Sequence, residues 1–158
     1  MALHKFSNEE IACILADMAV FYAMRGIDFK HRAYELAADD VAIYPTPLAE
    51  VYETDGTKGL TNISNVGPKI AAHIAELLTT GKFREYETFK KEFPIDLRAL
   101  LQIEGLGPRK LRDLYIHLNV RTLDDLYDAC VQHKVRNLAG FGVKTEIKIL
   151  EGLQKFKS

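Results

Sequence analysis

Apolar residues along this chain recur at three- and four-residue steps. Ile11, Ile14, Leu15, Met18 and Tyr22 form the first such stripe, the spacing of an amphipathic helix. Ser7 and Glu10 precede it in a capping-box pattern and Gly26 follows as a stop signal. The spacing predicts a second helix from Phe29 to about Ile43, ending before Pro45 and Pro47. Pro47 opens a short third helix through Tyr52, and the polar run 53–59 is expected as a loop. Alternating, strand-like runs are absent, and the connections are too short for crossover units. The fold class expected is all-α.

Length and composition narrow this further. A chain of 158 residues makes one ordinary domain or two small ones. Hydrophobic residues at 47% and charged residues at 27% are a globular mixture. The net charge of -1 excludes a strongly basic coat but leaves room for local basic patches. The charge is unevenly spread. Asp28, Glu35, Asp39, Asp40, Glu50, Glu53 and Asp55 face only Lys30 and Arg32 over residues 28–57. Lys134, Arg136, Lys144, Lys148, Lys155 and Lys157 outnumber Glu146 and Glu151 over residues 131–158. Cys13 and Cys130 are too few for a disulfide scaffold. With no signal-peptide pattern, both are expected as reduced core or near-core thiols in a cytosolic-type compartment. No apolar run approaches the ~18 residues that a membrane span requires.

The informative feature is an internal repeat. Its copies are Ile63-Ser64-Asn65-Val66-Gly67-Pro68-Lys69, Ile103-Glu104-Gly105-Leu106-Gly107-Pro108-Arg109 and Leu138-Ala139-Gly140-Phe141-Gly142-Val143-Lys144. Each leads into a helical pattern: Ile70, Ile74, Leu77 and Leu78; then Leu111, Leu114, Tyr115 and Leu118; then Ile147, Ile149, Leu150 and Leu153. Each is also preceded by a plausible short helix.

Two glycines around one apolar residue allow a sharp turn with positive φ. The apolar residue plugs into the core, and a glycine without Cβ admits another backbone. Pro68 and Pro108 suit a first helical turn. The free N–H groups of that turn form an anion site. Lys69, Arg109 or Lys144 can reach the same anion. Such a site grips a nucleic-acid backbone through main-chain donors and is blind to base sequence. The middle copy is the cleanest. The first has Asn65 in place of glycine, a residue that tolerates the left-handed region. The third has Val143 where the others have proline.

This pattern is the helix-hairpin-helix motif, which typically binds DNA without sequence preference. The chain resembles the N-terminal part of family X DNA polymerases, the DNA polymerase beta-like repair enzymes, especially bacterial and archaeal members. The resemblance covers about residues 7–156. It is carried by Gly26-Ile27-Asp28-Phe29-Lys30-His31-Arg32-Ala33-Tyr34-Glu35-Leu36-Ala37-Ala38, the first hairpin through Thr80-Gly81-Lys82, Ile103-Glu104-Gly105-Leu106-Gly107-Pro108 and Thr122-Leu123-Asp124-Asp125-Leu126.

The resemblance implies a small helical domain that binds the 5′-phosphate at a gap, often removing a 5′-deoxyribose phosphate. A DNA-clamping helical subdomain follows. By position, Lys30, Tyr34 and Lys69 match the phosphate pocket, with Arg32 as a nearby cation and His73 beside them. The carbonyls of Thr61, Ile63 and Val66, and of Leu101, Ile103 and Leu106, match places where family members hold a monovalent cation, Na or K, between protein and phosphate. Gly67, Gly105, Gly107, Arg109, Lys110, Gly140, Gly142 and Lys144 are the expected contacts to the DNA backbone.

Departures from the family pattern bear on chemistry. The family's lyase uses a lysine that forms a Schiff base with the sugar aldehyde, and the matching position here is His73. Thr61 and Glu85 stand where the family has further cations. Nucleotidyl transfer in the family needs carboxylates on a downstream sheet domain, which these residues do not supply. Asp39-Asp40 and Asp124-Asp125 are adjacent acids on helices, about 100° apart, and Asp125 is expected as the partner of Thr122 in a capping box. His4, His31, His73, His117 and His133 lack metal-ligand spacing and neither cysteine has a ligand partner nearby, so no zinc is expected; no bound nucleotide is expected either.

The expectation is an all-α module of two subdomains, residues 1–84 with the first hairpin and residues 85–158 with the other two. It would bind gapped or nicked duplex DNA as a monomer, away from membranes, in the cytoplasm with the nucleoid. Two rivals are a 5′-deoxyribose phosphate lyase working through Lys69 or another lysine and a protein-interaction scaffold of the same fold.

Overall fold

A computed structural model describes residues 2–157. The capping box forms as the sequence predicts: Glu10 N donates to Ser7 Oγ at 3.0 Å, and Ser7 N donates to Glu10 Oε1 at 3.2 Å. Helix α1 runs Asn8–Met24 and ends before Gly26, whose φ is 80°. Helix α2 runs Asp28–Ile43 and packs along α1. Helix α3 runs Leu48–Leu60. The run 53–59 is therefore helical and not a loop, with a break at Gly56 (φ 66°, ψ -156°). The piece after the break contributes one large apolar residue, the fully buried Leu60, so its periodicity is too short to read.

Helix α4 (Pro68–Thr80) is closed by Gly81 in the left-handed conformation. Helix α5 (Arg84–Glu92) follows. The chain divides into two compact units, the first reaching Lys91 and the second starting at Glu92. The boundary thus falls after the bulk of α5 and not at 84/85. Phe89 decides this: it is fully buried, stacked on Phe21 at 5.2 Å and edge-on to Tyr22 at 5.0 Å. Burying one such ring stabilises by about 1.5–3 kcal/mol, enough to fasten a nine-residue helix to α1. Tyr86 adds a hydrogen bond of 2.7 Å to the buried Asp17 carboxylate.

The second unit contains α6 (Leu97–Leu101), α7 (Pro108–Leu118), α8 (Leu123–Val131), a single 3-10 turn (Val135–Asn137) and α9 (Gly142–Lys157). Its core holds Leu100, Ile103, Leu111, Leu114, Leu126 and Ile149. Thr122 caps α8, accepting from Asp125 N at 3.1 Å. The Asp125 carboxylate accepts from Arg121 N, one residue earlier than a capping box requires. Every described residue in a regular element is helical and none is in a strand. Among the described residues no helix is long and apolar enough to cross a membrane.

The two thiols differ. Cys130 is buried, and burial pushes its thiol up to about 11. Cys13 is exposed, not near-core, because two residues from Ile11 is about 200° round the helix.

Candidate nucleic-acid interface

The first two repeats fold into congruent turns. In the first, Ile63 N donates to Leu60 O at 3.1 Å, Val66 N to Ile63 O at 3.0 Å and Ala71 N to Gly67 O at 2.9 Å. In the second, Ile103 N donates to Leu100 O at 3.2 Å, Leu106 N to Ile103 O at 3.2 Å and Leu111 N to Gly107 O at 3.0 Å. The plugs Ile63, Val66, Ile103 and Leu106 are all buried. The carbonyls of Thr61, Ile63 and Val66 therefore occupy the same places in their turn as those of Leu101, Ile103 and Leu106.

The two glycine positions do different work. Asn65 and Gly105 take positive φ, 65° and 89°. Gly67 and Gly107 are extended, at φ -82° and -103° with ψ near 180°, a conformation open to any residue. A Cβ placed on Gly67 or Gly107 would meet nothing within 4 Å. The fold itself does not require glycine there. What glycine leaves is open backbone at the start of α4 and α7, with exposed Lys69 and Arg109 two residues on.

The third repeat keeps the central bond, Phe141 N to Leu138 O at 3.1 Å, and a positive φ at Gly140 of 85°. Gly142 differs: its φ is 76°, and α9 begins on it. This entry into the helix is not the extended one of Gly67 and Gly107. Lys144 is exposed. Lys110 lies with Nζ 5.7 Å from the Phe141 ring, a cation over the third plug. A shallow cavity of about 260 Å³ beside Gly105 is lined by Glu104, Lys148, Glu151, Gly152 and Lys155, so the tip of the second turn opens toward the basic C-terminal helix.

In the first unit the structure brings Lys30, Tyr34, Lys69 and His73 together and leaves Arg32 apart. Lys30 and Tyr34 are one turn apart on α2. Lys30 Nζ stands 5.0 Å from the Tyr22 ring, and Tyr22 and Tyr34 pack at 5.0 Å. Tyr34 is buried, and its hydroxyl makes no hydrogen bond of good geometry. Burial, then the nearby Glu85 charge, push its phenol up to about 12, partly offset by the Tyr22 hydroxyl. His73 packs edge-on to Phe83 at 4.5 Å, 6.4 Å from the Tyr34 ring. Lys69 and Lys30 both lie close enough to act on its charge. Arg32 sits about 200° round α2 from Lys30, pairing with Glu35 at 2.9 Å on an exposed face.

Asp40 and Glu146 were not singled out in the sequence, and Glu85 was marked only as standing where the family has a cation. Asp40 accepts a 2.6 Å hydrogen bond from Asn65 Nδ2, holding the one hairpin tip that has a side chain where the others have glycine. Glu85 accepts from the Tyr22 hydroxyl and lies 3.4 Å from His73 Nε2. Glu146 is buried and accepts from Arg136 N (2.7 Å), Nε (3.0 Å) and Nη2 (2.8 Å), with His133 Nδ1 at 3.0 Å. Burial pushes the Glu146 carboxyl up, but these hydrogen bonds and the Arg136 charge outweigh it and hold it below the usual range. Glu146 occupies the register of the buried Ala71 and Leu111. A charge at a repeat's core position is the signal that would have found it. Ile147, next to it, is exposed. Among the described residues no group of three or more His, Cys, Asp and Glu is placed to hold a metal ion.

Comparison with known proteins agrees with this geometry. A helix-hairpin-helix domain model matches residues 6–83, and a SAM-like helix-hairpin-helix tandem model matches residues 97–155. The chain belongs to the helix-hairpin-helix family. The two matched stretches fall on either side of α5, one within each compact unit. Among relatives, the helix-hairpin-helix chain is 34% identical over 152 residues to the DNA polymerase/3'-5' exonuclease PolX of Bacillus subtilis (strain 168), covering 96% of this chain and 25% of that protein. It is 28% identical over 120 residues to DNA polymerase lambda of Arabidopsis thaliana, covering 75% of this chain and 21% of that protein. The resemblance to the N-terminal region of family X DNA polymerases is thereby supported across nearly the whole chain. The chain spans a quarter or less of the length of these relatives.

Proposed function

We propose that this chain is a DNA-binding module of the family X polymerase type, gripping gapped or nicked duplex through its phosphates. The observation that carries this is the pair of congruent turns at Gly67 and Gly107, where glycine is kept although neither φ nor packing calls for it. Such positions suit an external backbone that must come within reach of main-chain N–H groups. Lys69 and Arg109 add charge at the same place in each turn. The grip reads phosphate and not base edges, which fits a chain of net charge -1. Lys30, Tyr34, Lys69 and His73 form the pocket for a 5′-phosphate at the downstream side of the gap. The matched carbonyls of Thr61, Ile63 and Val66, and of Leu101, Ile103 and Leu106, would hold a monovalent cation between turn and phosphate.

The test is fluorescence anisotropy on one-nucleotide-gapped DNA, with and without the 5′-phosphate, at two salt concentrations. The expected result is tighter binding to the phosphorylated gap. The expected salt dependence is a slope of log K against log salt of about -0.9 per phosphate contacted. Absence of binding at low salt would overturn the reading in favour of a protein-interaction scaffold.

A second reading, lyase action through Lys69, draws on the nearness of Lys69 to His73. Imidazole forms no imine, so Lys69 would have to supply the amine. Borohydride trapping on abasic DNA decides it: a crosslink lost in Lys69→Ala supports the lyase, and no crosslink removes it.

A further inference from the structure

The pocket of the first unit holds an unusual charge balance for a phosphate site, and this inference rests on the phosphate reading above. His73 Nε2 is buried without a hydrogen-bond partner, 3.4 Å from Glu85 Oε2 but outside bonding geometry. The groups that face it come from four helices. Tyr22 comes from α1, and Lys30 and Tyr34 from α2. Lys69 and Glu76 lie on α4, and Glu85 comes from α5. Both phenols are protonated at neutral pH, and burial pushes them further up. Burial also pulls His73 below its ordinary value; Glu85 and Glu76 oppose this, and Lys69 and Lys30 add to it. With His73 neutral, Lys30 and Lys69 face Glu85 and Glu76, and Glu76 also pairs with the exposed Arg84 at 3.6 Å. A phosphate dianion entering this pocket is repelled directly by Glu85.

Two buried polar atoms lack a well-formed hydrogen bond: the Tyr34 hydroxyl, which has only the Tyr22 hydroxyl near it, and His73 Nε2. A phosphate oxygen satisfies both if the imidazole can donate. We propose that the pocket takes up one proton from solvent onto His73 as a terminal 5′-phosphate binds, with Glu85 as the counter-charge that sets how strongly binding and protonation are coupled. The anion raises the proton affinity of His73. Between the pKa of the empty pocket and that of the occupied one, binding therefore strengthens as pH falls. The histidine replaces a lysine's permanent charge with a conditional one, and Glu85 keeps the empty pocket from trapping stray anions.

The test measures the affinity ratio of 5′-phosphorylated to 5′-hydroxyl gapped DNA between pH 7.2 and 8.2, where the phosphate itself stays mostly dianionic. Isothermal titration calorimetry in two buffers of different ionisation enthalpy counts the proton on the unaltered chain. The expected result is a ratio that rises up to about tenfold per pH unit downward, with proton uptake approaching one. His73→Gln should abolish both, and Glu85→Gln should raise the ratio severalfold at pH 8.2. A ratio above one that is flat in pH, with no proton uptake, would overturn the coupling and leave the phosphate site standing. A slope that survives in His73→Gln would overturn the assignment to His73. A ratio of one at every pH would overturn the phosphate reading and this inference with it.

Discussion

Replacing Gly107 with alanine should separate binding from folding. Gly107 is extended at φ -103° and ψ -178°, and a Cβ there meets nothing within 4 Å. Alanine at a compatible conformation reduces unfolded-chain entropy, worth about 0.4–1 kcal/mol. Gly107 is also the N-cap of α7, where alanine is poorer than glycine by a similar amount, of order 0.5–1 kcal/mol. The two nearly cancel, so the melting temperature should stay within a few degrees. DNA affinity should not survive so well. The added methyl stands between the helix start and the phosphate. One charge-assisted hydrogen bond lost or stretched costs about 1.5–3 kcal/mol, roughly a 10- to 150-fold weaker Kd. Anisotropy on gapped duplex, paired with thermal unfolding by circular dichroism, reads both numbers. Wild-type affinity in a fully folded Gly107→Ala protein would refute the claim that this turn touches the backbone.

Other substitutions probe different parts of the argument. Gly105→Ala, two residues earlier at φ 89°, should instead cost about 1–2 kcal/mol of stability, visible in the unfolding midpoint. Asn65→Gly should make Asp40 dispensable: Asp40→Ala should lower stability in the native background and have almost no effect beside Asn65→Gly, read as a double-mutant cycle of urea unfolding. Glu146→Ala should destabilise by about 3 kcal/mol, since it orphans Arg136 N and uncouples a buried ion pair. Because the folded Glu146 pKa is depressed, its contribution is present above the unfolded value of about 4.3 and disappears as pH falls through the folded one. The stability loss on acidification should therefore be shallower in Glu146→Ala than in the parent. Arg32→Ala should leave the preference for a 5′-phosphate unchanged while Lys69→Ala weakens it, measured on the same gapped duplex.

Much of this architecture was readable because it obeys local rules. The caps at Ser7 and Thr122, the stop at Gly26 and the three repeats all lie within a few residues of their causes. Cys13 was expected near the core and is exposed, a difference that helical angle alone explains. Legibility failed where partners are distant in sequence. Asp40 meets Asn65 across 25 residues, and Tyr22 meets Glu85 across 63. No local pattern announces either. The repeat located Lys69, Arg109 and Lys144 together, yet equated turns that differ in the backbone at Gly142. A shared letter pattern allows more than one φ when both positions are glycine. The resemblance grouped Arg32 with Lys30 and Tyr34 by nearness in sequence, whereas a helix sorts residues by angle.

The division of the chain at 91/92 gives each compact unit at least one complete hairpin of its own. On the DNA-binding reading, this makes the chain bivalent. When both units engage one duplex at once, their joint affinity can exceed either grip alone by about 10²–10⁴. Each grip can then be individually weak and short-lived.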